Sequence, residues 1–295
     1  MAPAVDASSP PDLEIQTLKA NFLWDLLKRE LGRDAFPGLL QALVMVWLIG
    51  KAQPILAYLI AGPFIRLEWY GMTSVALATA VVLSSLSAPL LGRFWGQRRF
   101  REMLALRSVP WRSWPSIVVG ALGIELFTIC LLLVMLQTKL ISIDPSSNSP
   151  GDGMYGGLLA IVGAPIWEEF VFRGIILGGF LKHYPKWFAI LASAILFGAG
   201  HGNLGQFVSA GTFGLFAGWL FVETGSLWPC LFAHAFGNTF VSAAPDSLAT
   251  ALGLQLGGWP ATGSWFLAMG LLALGIVGLL RTQGRLSFHD RESLT

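Results

Sequence analysis

Residues 158–180 read LLAIVGAPIWEEFVFRGIILGGF, a run long enough to cross a bilayer, in which Glu168, Glu169 and Arg173 are the sole charged residues. An ionisable side chain at the centre of a spanning helix costs roughly 2.5–3.5 kcal/mol on insertion scales, so a cluster of them marks a place of use. On a helix Glu169 and Arg173 stand four apart with the acid first, the favourable order for an intrahelical pair. The 3.6-residue period turns Glu168 by about 100° from its neighbour, off that pairing face. One carboxylate is then neutralised and the other is left for chemistry, as a general base. The competing reading of the same cluster is an ion network that only holds helices together.

The rest of the chain supplies the setting. Of 295 residues, 54% are hydrophobic and 12% charged, with a mean hydropathy of +0.64. This excludes a soluble monomer, and the wealth of Phe, Trp and aliphatic residues excludes a disordered chain. A net charge of +2, with Lys and Arg in short clusters between apolar runs, gives no nucleic-acid face. Cys130 and Cys230 both lie in apolar runs without metal-ligand spacing, as small buried hydrophobes. The first 35 residues mix acids and bases without an apolar core, which speaks against a cleaved signal peptide.

Working outward, eight apolar segments predict an all-α polytopic membrane protein with its site inside the helix bundle. They run near Leu39–Ile60, Val75–Leu91, Ile117–Leu136, Leu158–Phe180, Trp187–Ala199, Phe207–Val222, Leu227–Ala243 and Trp265–Leu280. The fifth is short, and its end is expected beyond Ala199. Leu13, Leu18, Phe22, Leu23, Leu26, Leu27 and Leu31 recur among charges as on an amphipathic helix resting on the inner leaflet. The chain therefore divides into a cytoplasmic amphipathic segment (1–35), N-terminal spans (36–150), a catalytic core (151–244), and a last span with a cytoplasmic tail (245–295).

Charge sets the expected orientation. Arg93, Arg98, Arg99, Arg101, Arg107 and Arg112 crowd one link, whereas Ser142–Gly153 holds two Asp and no base. The basic link belongs in the cytoplasm, and eight crossings then place both termini there. Several Trp, including Trp111, Trp187, Trp228 and Trp259, sit near segment ends, where indoles anchor at headgroups. The compact chain suits a bacterial cytoplasmic membrane with lipids as its surroundings.

The remaining intramembrane polar groups are few. Lys51 and Glu125 fall near the middles of the first and third spans, where a mutual ion pair would neutralise both. Phe197-Gly-Ala-Gly-His201 and His234-Ala-Phe-Gly-Asn238 each present two residues one helical turn apart. Either alone would serve as a polar contact between helices. At about 1.5 Å per residue, Glu168 and His201 lie about 21 Å from the basic ends of their segments, with Asn238 and His234 at about 18 and 12 Å. The levels overlap, so these groups can meet in one pocket.

Glu168-Glu169-x-x-x-Arg173, Phe197-x-x-x-His201 and His234-x-x-x-Asn238, in this order and each within or at the end of an apolar segment, resemble the CAAX protease and bacteriocin-processing family. This family, also called abortive-infection, includes the type II CAAX prenyl endopeptidases. The resemblance covers about Gly157–Ala243. It implies an eight-helix intramembrane endopeptidase of the glutamate type, without a cofactor. Glu168 and His201 would activate water, His234 and Asn238 would stabilise the oxyanion, and Glu169 and Arg173 would orient the site. Substrate would be a protein or peptide with a membrane-associated or lipid-anchored tail, entering a cytoplasm-facing cavity. Glu168, His201 and His234 are also a chemically sound zinc set, although no His-Glu-x-x-His segment is present. Two non-peptidase readings stay open: a multi-pass transporter or ion pathway using the same Glu and His groups, and a non-catalytic immunity or scaffold protein.

Overall fold

The computed structural model describes residues 36–66, 103–142, 157, 159–243 and 259–289, with the single positions 79, 83, 90 and 93. The expected amphipathic N-terminal helix, most of the second span and most of the Ser142–Gly153 loop lie outside the described residues. Within them every regular element is helical. Helix α1 is Leu39–Arg66, and α2 is Trp114–Gln137, led in by a 3-10 turn at Trp111–Ser113. Helix α3 is built in pieces: a π-helical turn Leu159–Gly163, an α-helical turn Ala164–Glu169, a second π-helical stretch Phe170–Leu177 and a last turn Gly178–Phe180. Then follow α4 (Lys186–Ala199), α5 (Leu204–Thr224), α6 (Trp228–Ala243) and α7 (Thr262–His289).

Among the described residues, three stretches are long and apolar enough to cross a bilayer: Trp111–Gln137, Leu204–Thr224 and Thr262–Gln283. Leu39–Lys51 and Lys186–Ala199 are shorter apolar helices. The expected membrane character and helical class therefore stand, on fewer demonstrable spans than the eight read from the sequence. One boundary differs from expectation. Helix α4 stops at Ala199, and His201 lies in the turn beyond it. Gly200, Gly202 and Asn203 cause the stop, with Gly202 in the left-handed region at φ +81°. The Asn203 side chain accepts the Gln206 backbone N–H at 2.9 Å and so caps the next helix.

Two ends of the bundle can be told apart. At one, Lys186 of α4 pairs with Glu223 of α5, Ser226 Oγ donates to the Arg107 carbonyl at 2.6 Å, and Ser113 of the α2 lead-in meets Thr282 of α7 at 3.1 Å. The start of α1 joins it, since the Leu39 N–H reaches the Tyr184 hydroxyl at 3.4 Å. Arg112, Lys182 and Arg281 complete this basic end. Trp111, Trp187 and Trp228 are exposed there, as headgroup anchors would be.

Helices α2 and α7 run antiparallel and touch backbone to backbone. A Cβ on Gly275 would meet the Gly120 nitrogen and Cα at 2.5 Å, and one on Gly123 would meet the Leu272 nitrogen at 2.4 Å. Without a hydrophobic drive between helices in lipid, such small-residue seams supply the packing. Because backbone cannot swing aside, Gly275→Val is expected to destabilise the fold by about 1–3 kcal/mol, the usual range for overpacking. A lowered unfolding midpoint in detergent checks this.

Candidate active site

Helix α3 carries the centre. Its Glu169 and Arg173 are buried, and Arg173 Nη1 donates to Glu169 Oε1 at 2.9 Å, the pairing the sequence order predicts. The guanidinium lies 4.5 Å from the Phe197 ring centroid and 5.7 Å from that of Phe213. In this dry setting the aromatic faces replace part of its hydration. The same Glu169 Oε1 takes His234 Nδ1 at 2.8 Å. One carboxylate oxygen thus ties α3 to α6 and fixes the His234 ring.

His201 is fixed in parallel fashion. Its Nδ1 donates to the Phe197 carbonyl at 2.8 Å, because a carbonyl can only accept. The neutral ring then leaves Nε2 as an acceptor. Phe197 also packs edge-on against both imidazoles, with centroids 5.0 Å from His201 and 5.9 Å from His234. With each Nδ1 occupied, both Nε2 atoms turn to one point. Glu168 Oε2 lies 4.0 Å from His201 Nε2 and 3.7 Å from His234 Nε2. Glu168 and His201 are partly open, at 26% and 28% side-chain exposure, whereas Glu169 is at 0%. The two adjacent glutamates therefore divide into a structural and a reactive carboxylate, as their helical phases foretell.

The π-helical turns explain how α3 presents this cluster. Widened i to i+5 turns free carbonyls from the ordinary ladder, and they occur often at functional sites. Pro165 withholds a further N–H from the turn before it. Two carbonyls are taken up by side chains of other helices: Ala160 O accepts Asn238 Nδ2 at 2.7 Å, and Phe172 O accepts Ser193 Oγ at 3.1 Å. Asn238 therefore stands at the rim, one turn along α6 from His234, and fastens α6 to the start of α3.

One expectation needs correction. Lys51 and Glu125 do not form an ion pair among the described residues. Lys51 is exposed, while the Glu125 carboxylate packs so tightly on Gly237 that a Cβ there would meet its Oε1 at 2.3 Å. Glu125 thus stands beside the His234–Asn238 turn, a third carboxylate near the site, contributed by α2. Its signal is its presence in an apolar span, which does not specify its neighbour. Between Glu168 and the basic end lie buried Val171, Ile175, Leu177, Phe180, Ile190 and Leu220.

Against known proteins, residues 150–240 match the family model described as "Type II CAAX prenyl endopeptidase Rce1-like". That interval holds all three motifs and every atom of the cluster around Glu168. Over residues 150–240 the chain is therefore similar to the CAAX protease family. A Bacillus subtilis (strain 168) protein named "Putative membrane peptidase YdiL" is 38% identical over 82 residues, which cover 28% of this chain and 33% of that protein. The match thus spans about a third of the length of that protein. No solved structure matches the chain.

Proposed function

We propose that this chain is an intramembrane endopeptidase that hydrolyses a peptide bond of a membrane-associated or lipid-anchored polypeptide with a water activated by Glu168. The observation that carries this reading is the convergence of Glu168 Oε2 with two tethered imidazole Nε2 atoms at 3.7 and 4.0 Å. A water about 2.8 Å from two such atoms spans these separations at close to a right angle. Glu168 takes one water proton while His201 Nε2 accepts the other hydrogen bond. The water oxygen bonds to the substrate carbonyl carbon, and the carbonyl oxygen becomes an oxyanion. His234, held at Nδ1 by Glu169, donates from Nε2 when that nitrogen is protonated, and the Asn238 amide stands one turn away as the second donor. Glu168 then passes its proton to the leaving nitrogen as the C–N bond breaks. The match to a peptidase family weighs against the transporter and scaffold readings.

The same donors suit zinc chemically, but their spacing suits it less. A tetrahedral zinc about 2.1 Å from each ligand sets them about 3.4 Å apart, closer than the 3.7 and 4.0 Å found here. No step is routed through a metal. Hydrolysis is accordingly expected to survive exhaustive chelation; loss on chelation and recovery with added zinc would reverse this assignment. We further propose eight spans in a bacterial cytoplasmic membrane, with both termini inside.

The test is purified protein in detergent, incubated with a peptide library beside Glu168→Ala and His201→Ala. Cleavage lost in both variants supports the reading; cleavage that persists in both defeats it. Asn238→Ala is expected to lower kcat by about 10²-fold with KM changed far less, because an oxyanion donor acts mainly in the transition state. Steady-state kinetics on one cleaved peptide separate the two constants.

A further inference from the structure

We infer that the catalytic pocket opens on the outer face of the membrane and takes a polypeptide presented there, an exported chain or one anchored in the outer leaflet. This rests on the peptidase reading above. The first observation is where the pocket lies. His201 is in the turn that joins α4 to α5 at the end farthest from Lys186 and Glu223, and Asn238 meets Ala160 in the opening turn of α3, at that same far end. Along α3 from Glu168 toward the other end, Val171, Ile175, Leu177 and Phe180 are buried. A substrate therefore reaches the Glu168 oxygen from the far end.

The second observation is the charge at the two ends. Among the described residues, Arg107, Arg112, Lys182, Lys186 and Arg281 mark the end remote from the pocket. At the pocket end stand Lys139 and, at the close of α1, Arg66. In the sequence, Lys28, Arg29 and Arg33 precede Phe36, while Asp144 and Asp152 follow Ser142. Basic residues close to span ends stay in the cytoplasm. The end that carries the pocket is then external.

The third observation is open space beside the mouth. A cavity of about 650 Å³ lies at the pocket end, lined by apolar Leu132, Leu136, Leu140 and Leu204 together with polar Lys139 and Gln206. It begins two residues beyond His201 and joins the end of α2 to the start of α5. A polypeptide, which brings both apolar side chains and backbone amides, suits such a mixed lining.

The experiment is single-cysteine labelling with a membrane-impermeant maleimide in intact bacterial cells, with permeabilised cells as the reference. Native Cys130 and Cys230 are buried, so the unsubstituted chain sets the background. Gln206→Cys and Leu140→Cys report on the pocket end, and Ser108→Cys on the basic end; all three positions are exposed. We expect the first two to label in intact cells and the third only after permeabilisation. The reverse pattern overturns the inference. Peptide cleavage in detergent is blind to orientation and keeps the two ideas apart. A chain that cleaves but labels from within loses the inference and keeps the peptidase reading. A folded chain that labels from outside yet cleaves nothing loses both.

Discussion

Glu168→Gln is expected to lower peptide hydrolysis by about 10³-fold or more while leaving the unfolding midpoint nearly unchanged. General-base contributions run at about 10²–10⁴ in rate, and here Glu169 offers the water no substitute, since it is fully buried and engaged by Arg173 and His234. Glutamine keeps the shape of glutamate and can donate to a neutral His201 Nε2, so the packing around it should hold. The control is Glu168→Asp. It retains basicity but withdraws the oxygen by one methylene from atoms that now stand 3.7 and 4.0 Å away. A misplacement of about 1 Å can cost about 10²-fold, so this variant should keep measurable but reduced activity. Rates on one cleaved peptide, paired with thermal unfolding of each variant in detergent, decide the matter. A fully active Glu168→Gln protein would refute the assigned role.

The division of labour between the two glutamates was legible because it depends only on local geometry. Helical phase separates Glu168 from Glu169 whatever surrounds them, and the acid-first spacing to Arg173 fixes the pair. The apolar segments were legible for the same reason, so α2, α3, α5 and α6 fall within a few residues of their expected bounds. Depth arithmetic also placed the motifs at overlapping levels, and the structure brings Glu168, His201 and His234 to one point.

What stayed hidden depends on contacts between helices far apart in sequence. Glu125 and Gly237 are separated by more than a hundred residues, and no periodicity reveals that their helices touch there. Lys51 and Glu125 share a mid-span position, and a shared depth does not make a contact. The π-helical turns of α3 were equally invisible: the sequence shows Pro165 but not that the carbonyls of Ala160 and Phe172 would be released to Asn238 and Ser193. Asn238 consequently has a structural tie that its motif alone does not disclose.

Arg173→Ala should damage the fold as well as the chemistry. Removing one member of a buried ion pair typically costs about 3–5 kcal/mol, because the remaining charge has neither water nor partner. Here Glu169 would keep only His234, and its Oε2 already lacks a hydrogen-bond partner in the described structure. The substitution also leaves Phe197 and Phe213 facing the space that the guanidinium filled. A large fall in unfolding midpoint is therefore expected, together with loss of hydrolysis. The informative comparison is the double variant Glu169→Gln with Arg173→Met. It removes both charges and refills the volume, so much of the lost stability should return. Activity should not return, because a neutral amide holds the His234 ring less firmly than a carboxylate does and weakens its hydrogen bond. Recovery of stability without recovery of turnover would separate the two duties of Glu169. An Arg173→Ala protein that unfolds at the wild-type temperature would show that the pair does not hold α3 against α6.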